Sequence, residues 1–269
     1  MADSAPSPKF LTIPTKSSAP ISYTFFPAIN ERSLLEKRLI VFVNGLGLPA
    51  AAWIPSITIL HNSPESCPAI LTYDRFGQGL TTARDPKGEH DFLDVVNDLH
   101  EIIISIATSE LSLQRTDVEN GKLHLLLVGA SIGAPISRLY SQNHPGLVAG
   151  LILLDSNIAN VNYSDIWPDP DAADFDPKEV VSEDCTLEQY RVERNKLTAM
   201  FDLNVKNAEG LDRSTGPKLL PLADGPVLVG PGDVGPLLSV VGHDPETFAV
   251  QSFVMMKTPM SLSRKLTNA

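Results

Sequence analysis

The residue best placed to do chemistry is Ser131, at the centre of the segment Gly129–Gly133, which reads GASIG. An apolar run from Leu125 to Val128 precedes this segment and an apolar-periodic stretch follows it, which predicts a strand, a tight turn and a helix. A serine at the apex of such a turn is held in a strained backbone conformation that pushes its hydroxyl out of the sheet. The pattern therefore predicts a nucleophilic serine; the alternative is an ordinary turn with an incidental serine.

Further apolar runs predict the strands that must position this turn. Runs of five or six apolar residues bounded by turn residues are typical of strands buried on both faces of a sheet. The predicted strands, which include two shorter ones at the start of the chain, are Phe10–Pro14, Ile21–Phe26, Arg38–Val43, Ala69–Tyr73, Gly150–Leu154 and Leu237–Val241.

Helices are predicted between these strands. Asp91–Thr108 repeats its apolar residues every three or four positions, as an amphipathic helix does. Thr186–Phe201 begins with a threonine followed three residues later by Gln189, a capping-box pattern. A further helix is predicted over Thr247–Met256. The alternation of strands and helices predicts an α/β fold with a doubly wound, mostly parallel sheet.

In this context the Ser131 turn resembles the nucleophile elbow of the α/β-hydrolase superfamily, in particular its single-domain serine hydrolases with a cap insertion. The resemblance extends from about Ile21 to the C-terminus. It implies an α/β-hydrolase core over residues 10–156 after a disordered segment of residues 1–9. A helical lid over residues 157–225 would interrupt the core, and residues 226–269 would return to it with the seventh strand and a following helix.

The same resemblance implies an oxyanion hole beside the serine. The third strand ends in Asn44-Gly45-Leu46-Gly47, where family members often carry His-Gly, so Asn44 departs from the family pattern. The function implied there uses the backbone, so the N–H of Leu46 would hold a developing negative charge together with the N–H of Ile132. The alternative is a plain glycine turn.

The acid and the base of the triad are less clear. In this fold the residues follow the order Ser, Asp or Glu, His. Asp244, which follows the seventh strand, is the first candidate for the acid, and Asp155, which follows the sixth, is the alternative. No histidine comes after His243, so we expect the family's eighth strand, its histidine and its final helix to be absent. His243 adjoins Asp244, and neighbouring side chains tend to diverge, which makes it a poor substitute.

Two other segments carry charged residues that could do chemistry. Asp74–Gly79 resembles the family's Asp-x-x-Gly-x-Gly segment, and its spacing does not suit a phosphate-binding loop. We expect Asp74 and Arg75 to form a structural ion pair or a turn-capping pair. The acidic stretch Asp165–Val181 lacks the glycine and the terminal glutamate of an EF-hand calcium loop, so we predict an exposed lid segment.

Composition sets limits on partners and location. The net charge of −11 argues against nucleic acid or an anionic membrane as a partner. Neither a signal peptide nor a membrane span is evident, so we expect a soluble, cytoplasmic protein. Cys67 and Cys185 are predicted to be free thiols. No pattern supports a metal or an organic cofactor, and the oligomeric state is left open.

Two functional hypotheses follow. In the first, the protein is a serine hydrolase that cleaves an ester, thioester or amide of a small apolar substrate through Ser131. In the second, the chain is a truncated or degenerate hydrolase-fold protein without catalysis, acting as a binding or interaction module.

Overall fold

A computed structural model of the chain describes residues 5–29, 35–63, 67–156 and 159–267. The chain forms two compact units, one of Met1–Ala159 with Lys206–Val241 and the other of Asn160–Val205 with Gly242–Ala269. These bounds differ from the predicted ones, because 206–225 groups with the core and 242–269 does not. Part of the predicted disordered segment, residues 1–4, lies outside the described residues.

The strands of the first unit form a mostly parallel sheet. In chain order the strands are β1 Lys9–Leu11, β2 Ile21–Phe26, β3 Arg38–Val43, β4 Ala69–Tyr73, β5 His90–Asp91, β6 His124–Ala130, β7 Val148–Leu154, β8 Leu211–Asp212 and β9 Leu237–Val241. Seven of them form the sheet in the order β1-β2-β4-β3-β6-β7-β9; β2 pairs antiparallel with both β1 and β4, and all other neighbours pair parallel. The two short strands β5 and β8 pair with each other.

Some helices connect the strands of the first unit, and others belong to the second unit. In chain order they are α1 Ile54–His61, α2 Phe92–Glu110, α3 Arg115–Glu119, α4 Gly133–Asn143, α5 Leu187–Phe201, α6 Gly216–Leu219, α7 Pro245–Met256 and α8 Met260–Thr267. The capping box predicted at the start of α5 is present, since the Thr186 hydroxyl accepts a hydrogen bond from the Gln189 amide at 3.2 Å and the Gln189 side chain accepts one from the Thr186 amide at 2.8 Å. The α/β fold class predicted from the sequence is confirmed.

The core of the first unit forms where the apolar strands meet the apolar face of α2. Leu39, Val41, Leu125 and Leu127 are fully buried in the sheet, and Leu99 on α2 is fully buried against them in the same cluster. Continuous apolar strands need cover on both faces, which the crossover helices of a parallel sheet supply. This packing fixes the ends of β3, β6 and β7, from which the site is built.

The prediction that Leu237–Val241 is a buried strand is wrong in one respect. The bounds of β9 agree with the prediction, but all five residues are exposed, and Leu237 keeps 83% of its accessible surface. Among the described residues, β9 is an edge strand of the sheet and pairs with β7 alone. An apolar run predicts a strand but cannot tell an edge position from a central one.

The second unit has a small core of its own. The buried residues of this core include Trp167, Tyr190 and Leu262. Buried Glu193 on α5 accepts hydrogen bonds from Thr258 at 3.0 Å and from Lys196 at 2.6 Å. Most of the acidic stretch between residues 165 and 181 is exposed or half-buried, as predicted.

Cys67 and Cys185 are both free and buried. Within the described ranges, no helix has the length and apolar character needed to cross a bilayer. The same part of the chain holds no group of three or more His, Cys, Asp or Glu side chains arranged to bind a metal ion.

Candidate active site

Ser131 lies at the sharp turn between β6 and α4. Its φ is +49°, in the left-handed region that a residue with a side chain adopts at a cost. The Ser131 amide donates to the carbonyl oxygen of Leu154 at 3.0 Å, so the chain stays paired with β7 up to the serine itself. α4 then begins at Gly133. The predicted strand, turn and helix are therefore present around Ser131, with the backbone strain that a nucleophile elbow requires.

The two glycines of the GASIG segment allow this turn to close. A Cβ at Gly129 would collide with the carbonyl oxygen of Gly133, and a Cβ at Gly133 would collide with the carbonyl oxygen of Val43. Only glycine lets α4 start so close to the end of β3. As a result, the loop after β3 lies beside the serine, where a Cβ added to Gly45 would be 3.5 Å from the Ser131 Cβ.

The predicted oxyanion amides lie on the two segments that meet here. Ile132 immediately precedes α4, whose N-terminus carries the positive end of the helix dipole. Leu46 follows Gly45 in the adjacent loop. Among the described residues, neither amide donates a hydrogen bond to a protein acceptor. Both are thus available to a developing oxyanion, although their role stays a prediction.

Asp74 and Arg75 do not pair with each other: Asp74 caps turns, and Arg75 forms an ion pair with another residue. Asp74 caps two turns, because its carboxylate accepts from the Ala50 amide at 2.6 Å and from the Leu80 amide at 2.8 Å. Burial raises the pKa of Asp74, although these backbone hydrogen bonds and the charge of Arg75 act in the opposite direction. The guanidinium of Arg75 pairs with a different carboxylate, that of Glu209.

Glu209 was not predicted from the sequence. It lies in the segment after the residues of the second unit, and its side chain is 99% buried, with an exposed fraction of 1%. Arg75 Nε donates to Glu209 Oε2 at 2.8 Å, and Arg75 Nη2 donates to Oε1 at 3.1 Å. No residue pattern around Glu209 marks it, since a glutamate before a glycine is common in loops.

The two candidate acids occupy different surroundings. Asp155 follows Leu154, which is paired in register with Ala130, so Ser131 and Asp155 leave neighbouring strands side by side. Adjacent strands are about 5 Å apart, and Asp155 also has a positive φ, +46°. Asp244 belongs to the second unit and caps α7, accepting from the amide and the hydroxyl of Thr247, both at 2.8 Å. These hydrogen bonds hold the pKa of Asp244 below its ordinary value.

The six histidines of the chain differ in their surroundings. His243, which follows β9 by two residues, stacks its ring on Phe248 with the centroids 4.2 Å apart. The others are His61 against Phe26 and the Pro27 carbonyl, His90 beside Asp85, His100 and His144 stacked on each other, and His124 at the start of β6. Of the six histidines, His243 lies nearest in sequence to the carboxyl end of a strand in the seven-stranded sheet.

Comparison with known proteins defines the family. A model of the Alpha/beta hydrolase family matches residues 40–257, which is most of the chain. The chain belongs to the alpha/beta hydrolase family. No curated protein sequence matches it.

Several solved structures are similar to this chain at low sequence identity. A soluble variant of monoglyceride lipase from Saccharomyces cerevisiae is 19% identical with a TM-score of 0.44, covering 58% of this chain and 46% of that one. A carboxyl esterase from Bacillus coagulans is 16% identical with a TM-score of 0.44, covering 61% and 48%. A haloalkane dehalogenase from Bradyrhizobium elkanii is 13% identical with a TM-score of 0.46, covering 71% and 49%. The chain spans about half the length of these structures.

Proposed function

We propose that the protein is a serine-dependent hydrolase that cleaves an ester, thioester or amide of a small apolar substrate. Ser131 attacks the acyl carbon, and the amides of Leu46 and Ile132 hold the oxyanion. The observation that carries this proposal is the left-handed backbone of Ser131 at the strand–helix turn, with the Gly45 loop packed beside it. Membership of the alpha/beta hydrolase family supports a hydrolase-like activity.

The acid of the proposed triad is Asp244 or Asp155. Asp244 is the acid that the family order favours, and the capping of α7 gives its carboxylate a structural role as well. Asp155 is supported by its register beside Ser131. The base is left open, because His243 adjoins Asp244 and neighbouring side chains tend to diverge.

The nucleophile is tested with a chromogenic short-chain ester, p-nitrophenyl butyrate, and with a fluorophosphonate that labels activated serines. We expect an initial burst with the ester and phosphonylation of Ser131. Ser131→Ala should lower turnover by about 1,000-fold or more, because the members of a triad act as a unit. Turnover equal to that of Ser131→Ala would refute catalysis by this chain.

Ser112 offers a matched control. It is an exposed serine that also has a positive φ, +55°, in the loop between α2 and α3. Ser112→Ala should keep full turnover, and the phosphonate should leave Ser112 unlabelled. Labelling of both serines at equal rates would mean that a left-handed serine reacts without any catalytic surroundings.

The acids are separated by isosteric substitution. Asparagine caps helices as well as aspartate does, so Asp244→Asn removes the charge and keeps the cap of α7. Whichever of Asp244→Asn and Asp155→Asn lowers kcat by several orders of magnitude identifies the triad acid. Unchanged kcat in both variants would refute a triad acid at either position.

A second function, a binding module without catalysis, is favoured by the cap formed by Asp244 and by the ring stacking of His243. It predicts that the phosphonate does not label Ser131 and that turnover is absent. The same two assays therefore decide between the functions.

A further inference from the structure

The carboxylate of Glu209 gathers donors from three residues around the Gly45 loop. Besides the two hydrogen bonds from Arg75, its Oε1 accepts one from the Gly47 amide at 2.6 Å and one from Gln78 Nε2 at 3.1 Å. All four bonds are buried or nearly so, where hydrogen bonds to a charged group are strongest. The loop after β3 is therefore tied directly to a carboxylate that comes from another part of the chain.

The residues that Glu209 holds also bind the carbonyl groups of the loop. Arg75 Nη1 donates to the Asn44 carbonyl at 2.8 Å, and Arg75 Nη2 donates to the Gly45 carbonyl at 2.9 Å. Gln78 Nε2 donates to the same Gly45 carbonyl at 2.9 Å. The Leu48 amide donates to this carbonyl as well, at a longer 3.4 Å. The two shorter bonds, from Arg75 and Gln78, hold the Gly45 carbonyl on the side of these two residues.

That direction determines where the Leu46 N–H points. The Gly45 carbonyl and the Leu46 N–H belong to one peptide unit, which is planar and trans, so the two bonds point in opposite directions. Because Arg75 and Gln78 hold the carbonyl on their side, the Leu46 N–H is turned away from them. Gly45 lies against Ser131, so this peptide is the one whose orientation matters to an oxyanion formed at the serine.

Glu209 stabilises the positive charge of the buried Arg75. Burial opposes a charged guanidinium, but the charge of Glu209 and its hydrogen bonds outweigh burial, so the pKa of Arg75 lies above its ordinary value. Gly77 lets the acid come this close, since a Cβ there would lie 3.0 Å from the Ala208 carbonyl and 3.1 Å from the Glu209 Cα. Glu209 lies just after the inserted segment Asn160–Val205, at the start of the chain's return to the first unit.

The geometry points to Glu209 as a positioning residue for the hydrolase reaction, one that orients the Leu46 amide through Arg75 and Gln78. This inference rests on the proposed function, and it gives a role to a residue that touches neither substrate nor reacting atoms. A purely structural role is the rival explanation. The two explanations differ in what they predict for a variant that regains its stability. A purely structural role predicts that kcat recovers as well, whereas a positioning role predicts that kcat stays low.

The first variant is Glu209→Gln, which keeps the shape of the side chain and removes its charge. A misplaced oxyanion donor stabilises the transition state less and leaves the binding of the substrate unchanged. We expect kcat for p-nitrophenyl butyrate to fall by about 100-fold, with little change in KM. Amide hydrogen exchange in a peptide covering residues 44–50 should become faster.

The second variant, Arg75→Met with Glu209→Leu, removes both charges and so leaves no unpaired ion in the core. Such apolar replacements of buried ion pairs often retain stability. We expect its melting temperature to recover relative to Glu209→Gln, while kcat stays low because the Gly45 carbonyl has lost Arg75. Recovery of kcat together with the melting temperature would overturn the positioning role.

Glu193→Gln is the matched control, since Glu193 is also a buried glutamate with hydrogen-bonded partners, in the second unit. It should lower the melting temperature and leave exchange in residues 44–50 unchanged. If the wild-type protein shows no turnover above Ser131→Ala, the proposed function fails. The hydrogen-exchange measurement needs no turnover. Unchanged exchange in residues 44–50 of Glu209→Gln would overturn the inference that Glu209 orients this loop.

Discussion

The stacked histidines between α2 and α4 predict a loss of stability in mild acid. The rings of His100 and His144 are nearly parallel, with an angle of 8° and centroids 4.1 Å apart, and His100 Nδ1 lies 3.0 Å from the Tyr140 hydroxyl. Burial, together with the neighbouring imidazole of His100, lowers the pKa of His144 to about 4. Burial also lowers the pKa of His100.

The size of the effect follows from proton linkage. The ordinary pKa of histidine is about 6.5, so as the pH falls the unfolded chain takes up a proton on His144 before the folded chain does. The stability that neutral His144 contributes is therefore complete above about pH 6.5 and is lost as the pH falls towards 4. With these two pKa values a fully buried ring would lose about 2 kcal/mol at pH 5, and because His144 is only half-buried, solvent screening reduces the expected loss to about 1 kcal/mol.

The assay is urea unfolding of the wild-type protein and of His144→Phe at pH 8 and pH 5. Phenylalanine keeps an aromatic ring in the stack and cannot ionise, and the buried Nε2 of His144 has no hydrogen-bond partner among the described residues to be lost. The difference between the two proteins at pH 8 measures packing alone. On going to pH 5, the wild-type protein should lose about 1 kcal/mol more than the variant.

The reasoning is refuted if the two proteins lose the same free energy of unfolding between pH 8 and pH 5. An NMR titration of the His144 ring protons gives an independent check. A midpoint near pH 6.5 in the folded protein would show that neither burial nor the second imidazole acts on this ring as described.

Two further predictions concern the turn at Ser131 and the start of α7. Gly133→Ala should destabilise the protein by about 1–3 kcal/mol, because the new methyl group collides with the Val43 carbonyl. Thermal unfolding measures this loss. Gly242→Ala is the control, because no atom lies within 4 Å of a Cβ added at Gly242. Asp244→Ala should unfold at a lower urea concentration than Asp244→Asn, because alanine cannot cap α7. Equal unfolding midpoints for the two variants would show that the cap contributes nothing.

The sequence predicted the strands and the turn around Ser131 wherever local rules decide the structure. The bounds of β3, β4 and β9 and the turn at Ser131 follow from short apolar runs and from glycines at fixed spacing, which depend on neighbouring residues alone. The capping box at Thr186 is local in the same sense.

Contacts between distant residues could not be predicted in this way. Glu209 is 134 positions from Arg75, and nothing in either segment identifies the other as its partner. Arg75 was therefore assigned to Asp74, its neighbour in sequence, as an ion pair or capping partner. The exposure of β9 was missed for a related reason, since strand order in a sheet is a property of the whole chain.

The division of the first unit into two stretches of chain has a consequence for its biosynthesis. A ribosome completes β1 to β7 before the residues of the 160–205 segment, and β9, the partner of β7, comes only after that segment. During that interval the nascent sheet ends at β7, an apolar strand whose backbone groups have no partner on one side. Domains tend to fold from the N-terminus as they emerge, so we expect this stage to be the one at which the growing chain depends most on chaperones.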